Sequence, residues 1–245
     1  MTFLSRLALS FVFSGMALVA QAEQIHVAVA SNFSDTLAEL GQLFQAATGH
    51  ELVLSPGASG TIYTQITHGA PFDVFFSADE ALPQRLLQEG LASQTGLYAR
   101  GALVLWSQNP ALVDADGTVL RNGNFRHLAF ANPALAPYGV AAQETLTALG
   151  LWQELQGKLV QGENITQTLQ FIASGNAELG FIAASQYVAL AGHGSAWAVP
   201  AALYTPIRQS YALLQDNPAS RALLAFLNTS AAQALLERSG YLLPP

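Results

Sequence analysis

Residues 51–69 read ELVLSPGASGTIYTQITHG. The run ELVLS is strand-like, and Thr61 to His68 reads as a short helix closed by Gly69. The junction between them, PGASGT at 56–61, consists of small uncharged residues, Ser59 and Thr61 bearing hydroxyls. ASNFSDT at 30–36 takes the same place after the strand-like IHVAVA at 25–30. It precedes a helix whose Phe33, Leu37, Leu40 and Phe44 form a core-facing stripe that stops at Gly49. Strand, small polar turn and helix, taken twice in succession, are the unit of an α/β fold with mixed, mostly parallel sheets.

The alternation continues along the chain. FDVFFS is a third strand, and Ser77 with Glu80 three residues on predicts a capping box for the helix that ends before Gly90. ALVLWS at 102–107 follows as a strand closed by Asn109-Pro110. A second cycle begins near His127 with strand HLAFA, a proline-bounded loop, a helix over 139–149, strand KLVQ, a helix over 165–174 and strand LGFIAA. After Pro206, IRQSYALL is a strand, and Asn217-Pro218 is an N-cap followed by proline at the first helical position. A long helix from Ala219 to about Arg238, with a break near Asn228, ends the chain. No linker, repeat or low-complexity tract separates the cycles, which predicts two lobes crossed by short strands, 23–103 plus 206–245 and 104–205, with a ligand cleft between them.

The first 22 residues, MTFLSRLALSFVFSGMALVAQA, carry an early cation at Arg6, an apolar run and the small-x-small ending Ala20-Gln21-Ala22, which read as a secretory signal peptide over 1–22. The run from Leu7 to Ala20 is short for a membrane span and is interrupted by serines and a glycine. No later segment has an apolar run of spanning length. Cysteine is absent, which excludes disulfides, thiolate metal sites, cysteine catalysis and a lipid-modified cysteine at the cleavage site. Export without such an anchor predicts a monomer diffusing in a bacterial periplasm. The net charge of −7, less the cation Arg6, gives −8 for the mature chain, and Lys158 is its single lysine. Nucleic acid and acidic membrane surfaces are therefore poor partners.

The two small polar junctions have a common chemistry. A helix begins with N–H groups that lack intrahelical partners and with a partial positive charge, so it attracts anions. Glycine and alanine let a ligand approach the backbone, serine and threonine add rotatable donors, and ligands of open α/β sheets collect beyond the carboxyl ends of strands. Ser31, Asn32 and Ser59 lie at that edge. No Arg, Lys or His occurs in 27–36 or 52–67, so an anion bound there is held by neutral donors. Hydroxylated residues at such turns ordinarily serve as N-caps, which is the structural alternative for both stretches. The second cycle offers Tyr138 at a helix start in PYG, and Asn164 as an N-cap that leaves the Ile165 N–H free. Their structural alternatives are a packed aromatic with its hydroxyl in solvent and a core isoleucine.

VAVASNFSDTL, SPGASGTIYTQI, GAPFDVFFSAD, PYG, GENITQTL and ELGFIAAS, in this order and spacing, span nearly the whole mature chain. In this the sequence resembles the periplasmic molybdate-binding proteins of ABC importers, which are type II solute-binding proteins. The resemblance implies the two-lobed type II fold, no enzymatic activity and no cofactor, a tetrahedral molybdate or tungstate held without a countercation, and an ABC permease with a cytoplasmic ATPase as partner. It assigns Ser31, Ser59 and the Ile165 N–H to the oxyanion. Many members place a tyrosine just after the strand matching LGFI, where this chain has Ala183; Tyr138 is therefore expected to supply the hydroxyl, and Asn32 an amide donor. Rival readings are a type II binding protein for sulfate, sulfonate, phosphonate or ferric iron, and an exported serine hydrolase. Gly57-Ala58-Ser59-Gly60-Thr61 fails the GxSxG elbow at its last place, and none of His26, His50, His68, His127 and His193 stands in a triad context. Asp73 and Asp79, the conceivable iron ligands, read as structural groups at a strand end and a helix start.

Overall fold

The computed structural model describes residues 22–244, so the expected signal peptide falls outside the described residues except for Ala22. In chain order, the first part comprises β1 (Gln24–Ala30), α1 (Ser34–Thr48), β2 (Glu51–Gly57), α2 (Ser59–Thr67), β3 (Val74–Ser77), α3 (Ala81–Gln88) and β4 (Gln94–Gly101). Next come β5 (Leu103–Ser107), α4 (Val119–Asn122), β6 (Leu128–Ala131), α5 (Pro137–Ala148), β7 (Leu159–Gly162), α6 (Ile165–Ala173), β8 (Leu179–Ala183), α7 (Ala184–Ala189) and β9 (Ser195–Ala198). The chain then returns through β10 (Ile207–Leu213) to α8 (Pro218–Phe226) and α9 (Ser230–Arg238).

The strands form two five-stranded sheets, ordered β2-β1-β3-β10-β4 and β7-β6-β8-β5-β9. Each is mixed. In the first, β1 runs parallel to β2 and β3 while β10 is antiparallel to β3 and β4; in the second, β6 runs parallel to β7 and β8 while β5 is antiparallel to β8 and β9. The sheets thus share one plan, and the antiparallel strand in the fourth place of each is the one entered directly from the other. Only Ala102 separates β4 from β5, so the first crossing is a single residue wide.

Helices cover both faces of each sheet, and the central strands β3, β6 and β8 are buried along their whole length, as two-sided burial requires. Along β1 the side chains alternate between two cores. Val27 and Val29 join Leu37, Leu40, Phe44, Leu223 and Leu235 under α1, α8 and α9; Ala28 joins Ile62, Phe75 and Leu86 under α2 and α3. The predicted stripe of α1 is completely buried, and Phe33 meets the rings of Phe76, Tyr98 and Tyr241 with centroids 4.6–5.6 Å apart.

Several local expectations are corrected. Ser77 does not cap α3: the N–H of Leu82 donates to Asp79 Oδ1 at 2.7 Å, and Glu80 faces Arg208 as an ion pair. A helix start can use only a side chain placed within reach of its first free N–H groups, and Asp79 is nearer than Ser77. Gln94–Gly101, not expected as regular structure, is β4, the edge strand held by β10. α7 and β9 were likewise not foreseen. The break expected near Asn228 is present and divides the terminal helix in two, with Thr229 accepting the Ala232 N–H at the start of α9. Asp73 is, as expected, a strand-end group, accepting the His26 N–H at 2.7 Å.

Phe76 is fully buried beside the rings of Phe33, Tyr98 and Tyr211. Phe76→Ala is expected to cost about 3–5 kcal/mol of stability, because its neighbours cannot collapse into the space left. Urea unfolding followed by circular dichroism measures it; a loss below about 1 kcal/mol would contradict this picture of the core.

Candidate functional site

The carboxyl ends of β1 and β2 face those of β6 and β7 across a small cavity that is partly open to solvent. It is lined by Ala30, Ser31, Asn32, Gly57, Ala58, Ser59, Ala78, Ala136, Pro137, Tyr138 and Ile165, so all five predicted site residues come together. They occupy equivalent places: Ser31–Asn32 and Tyr138 follow the first strand of each sheet's parallel set, and Ser59 and Ile165 follow the second.

The N-caps of α2 and α5 are Ala58 and Ala136, neither of which has a capping side chain. Alanine at an N-cap costs about 1 kcal/mol relative to Ser, Thr, Asp or Asn. Ser59 and Ser31 therefore are not the caps that such turns ordinarily contain. What the uncapped starts leave is donor capacity: the N–H groups of Ser59 and Tyr138 have no acceptor among the described residues. In α6, Asn164 does cap, accepting the N–H groups of Thr166 and Gln167 at 3.0 Å, and leaves Ile165 N–H free. Gly139 lets α5 begin where it does, since a Cβ there would lie 2.2 Å from the Ala131 carbonyl oxygen.

Hydroxyls complete the donor set. Ser59 Oγ accepts the Ala78 N–H at 3.1 Å, which fixes the oxygen and leaves its proton to give. Ser31 donates its own N–H to the Gly57 carbonyl at 2.9 Å and keeps its hydroxyl without a partner among the described residues. Most of the carbonyls around the cavity, in contrast, are engaged: those of Ala30, Ser31, Asn32, Gly57, Ala58, Ala136 and Ile165 already accept. No charged side chain lines the cavity, and among the described residues no cluster of His, Asp or Glu is arranged to hold a metal cation. The nearest carboxylate in sequence, Asp79, has its pKa raised by burial and is occupied at the start of α3.

Asn32 and Tyr138 take part differently from expectation. The Asn32 side-chain amide donates to Gln209 Oε1 at 3.0 Å and to the Tyr241 hydroxyl at 3.2 Å, so what remains for a ligand is its backbone N–H, which has no acceptor among the described residues. The Tyr138 hydroxyl accepts from Gln209 Nε2 at 3.2 Å, which turns it toward the crossing strands, and the donor this residue brings to the cavity is its N–H. Both side chains thereby join a buried network under the cavity floor. Tyr98 donates to Gln209 Oε1 at 2.8 Å, Tyr241 donates to the Asn32 carbonyl at 2.7 Å, and Ser185 donates to the same carbonyl at 3.1 Å. Gln209, Tyr98, Tyr241 and Ser185 were not singled out from sequence. Their only signal there is polarity within otherwise apolar strands or helices.

The arrangement suits a small, fully deprotonated oxyanion, whose oxygens only accept, meeting a wall rich in donors. It does not suit acyl hydrolysis: Ser59 Oγ sits among N–H donors, and no histidine lines the cavity.

Comparison with known proteins gives a consistent picture. Residues 25–242 match the family model for bacterial extracellular solute-binding proteins. The molybdate-binding protein ModA of Azotobacter vinelandii is 45% identical over 246 residues, covering 97% of this chain and 97% of that protein; ModA of Rhodobacter capsulatus is 45% identical over 232 residues, covering 93% and 91%. The solved structure of the Azotobacter vinelandii periplasmic molybdate-binding protein superposes with a TM-score of 0.87 at 40% identity, covering 90% of this chain and all of that one.

Burial raises the hydroxyl pKa values of Tyr98 and Tyr138 well above the ordinary 10.0 and that of Tyr241 to about 12. The network thus holds neutral phenols. Because folding favours the protonated form, its contribution is whole below the unfolded value of 10.0 and is lost as pH rises through the folded values. Thermal melts are expected to show a steep stability loss above about pH 10, with phenolate absorbance from buried tyrosines rising only as the fold is lost. Early phenolate signal from the intact fold would contradict the burial of these hydroxyls.

Proposed function

The chain belongs to the bacterial extracellular solute-binding proteins, and from that premise we propose that it captures molybdate, with tungstate as an equivalent ligand, between its two sheets and hands it to an ABC permease powered by a cytoplasmic ATPase. The role is binding, and the oxyanion is cargo rather than cofactor. The lobes are taken as 23–103 plus 206–245 and 104–205, working as a monomer in the periplasm. Among the described residues no helix is long and apolar enough to cross a membrane.

The observation that carries this reading is the donor-rich wall. Among the described residues the hydroxyls of Ser31 and Ser59 and the N–H groups of Asn32, Ser59, Tyr138 and Ile165 have no acceptor, beside carbonyls that are mostly engaged. A buried N–H group without an acceptor destabilises a protein by about 1–3 kcal/mol, so the cavity favours a ligand that satisfies these donors. A tetrahedral dianion does so with every oxygen, and the starts of α2, α5 and α6 add their partial positive charge. Hydrogen phosphate retains a proton that would compete for the serine hydroxyls, and its binding is weakened accordingly. Sulfate matches in charge and shape but is smaller, so its rejection rests on how closely the two walls can approach. Closure of the lobes over the anion excludes water, strengthens each hydrogen bond and forms the surface that a permease recognises.

Isothermal calorimetry on the mature protein is expected to give tight binding of molybdate and tungstate, with weak binding of sulfate and phosphate. Sulfate affinity equal to that for molybdate would overturn the selectivity. Ser59→Ala removes a donor to a charged ligand and is expected to weaken molybdate binding roughly ten- to hundredfold; unchanged affinity would remove Ser59 from the site.

A further inference from the structure

Five hydrogen bonds join the two halves around the cavity, one of them from the Tyr241 hydroxyl to Ser185 Oγ at 3.1 Å. Three of them end on backbone carbonyls near the rim: Gly60 N–H to Leu135 at 2.9 Å, Thr166 Oγ1 to Ser31 at 3.3 Å, and Ser185 Oγ to Asn32 at 3.1 Å. The fifth lies beneath the cavity and, like the Tyr241–Ser185 pair, joins two buried side chains, Gln209 Nε2 and the Tyr138 hydroxyl, at 3.2 Å.

From this geometry we infer that Gln209 is a positioning residue for ligand retention: its amide ties an anion-binding loop of each lobe to the crossing strands and holds the lobes closed. Its two ends do separate work. Oε1 accepts from Asn32 Nδ2 in the first half, and Nε2 donates to Tyr138 in the second; each of these partners presents its backbone N–H to the cavity. Gln209 itself is completely buried near the start of β10, where the chain re-enters the first sheet. Across from it Gly101 ends β4 at the other crossing, and a Cβ there would lie 2.1 Å from the Tyr138 oxygen and 2.6 Å from Gln209 Nε2. The glycine makes room for the bond at the point about which the lobes must bend. A neutral hydrogen bond in so dry a place is costly to break until water reaches both partners, so it resists opening. It makes no contact with the anion, and its effect falls on release.

This inference rests on the oxyanion-binding reading, and the test separates the two. The chain has no cysteine, so Thr67→Cys on α2 and Gln170→Cys on α6, both exposed, give a unique pair of spin labels spanning the cleft. In that background Tyr138→Phe keeps the ring and the N–H and removes only the bond; Gln209→Leu removes it from the other side. Tyr138→Phe is expected to shift the ligand-free label distances toward longer values and to speed molybdate release about fivefold to tenfold, with association unchanged. Gln209→Leu, which also takes the acceptor from Asn32 Nδ2 and the Tyr98 hydroxyl, is expected to do at least as much, and the double variant to do no more than Gln209→Leu alone. If Gln209→Leu fails to fold, Tyr138→Phe alone decides. Unchanged distances together with unchanged release, strictly additive effects, or a defect in Tyr138→Phe that a folded Gln209→Leu lacks would overturn the inference; the last would make the tyrosine hydroxyl a direct ligand. If the parent protein binds no molybdate, the functional reading fails, and the ligand-free distances still decide on Gln209.

Discussion

Buried N–H groups need acceptors, and this fold places several of them where the protein supplies none. The starts of α2, α5 and α6 meet between the sheets with alanine, alanine and asparagine as their caps, and the neighbouring carbonyls are already engaged. Helix starts whose N–H groups the protein itself does not satisfy are a source of affinity for an anion. The absence of a cation in the cavity then has a physical meaning. A guanidinium would attract any anion of suitable charge, whereas fixed neutral donors reward a ligand only if every one of its oxygens can accept.

That wall works only if its two halves face each other at one spacing, and the shared plan of the two sheets provides it. Each sheet takes its fourth strand directly from the other, so the crossings run under the cavity rather than around it. The aromatic and polar residues gathered there serve both structure and site. Phe33, Phe76, Tyr98 and Tyr241 pack as rings, while the tyrosine hydroxyls and Gln209 fix the Asn32 side chain so that its backbone N–H is presented. Burial keeps those phenols neutral, so they add no negative charge beneath a bound anion.

Much of this was legible in order along the chain. The stripe of α1, the junctions after β1 and β2, the cap at Asn164 with Ile165 free behind it, and the structural roles of Asp73 and Asp79 follow from local spacing, because helix periodicity and capping are short-range. β4 escaped notice because TGLYARG lacks a sustained two-residue alternation and is a strand by virtue of its partner β10, more than a hundred positions away in the chain. Ser77 was credited with a cap that Asp79 makes, since spacing alone does not say which oxygen reaches the N–H.

The sequence by itself determined the α/β alternation, the small uncharged turns at strand ends and the lack of any cation among them, since these depend on residue type and neighbours within a few positions. Only the tertiary structure decided what Asn32 and Tyr138 do. Their side chains turn away from the cavity to Gln209, 177 and 71 positions off in sequence, and leave the peptide N–H groups as donors. A residue's donor capacity is written in its type, but which donor is spent depends on partners that only folding brings within 3 Å or so of it.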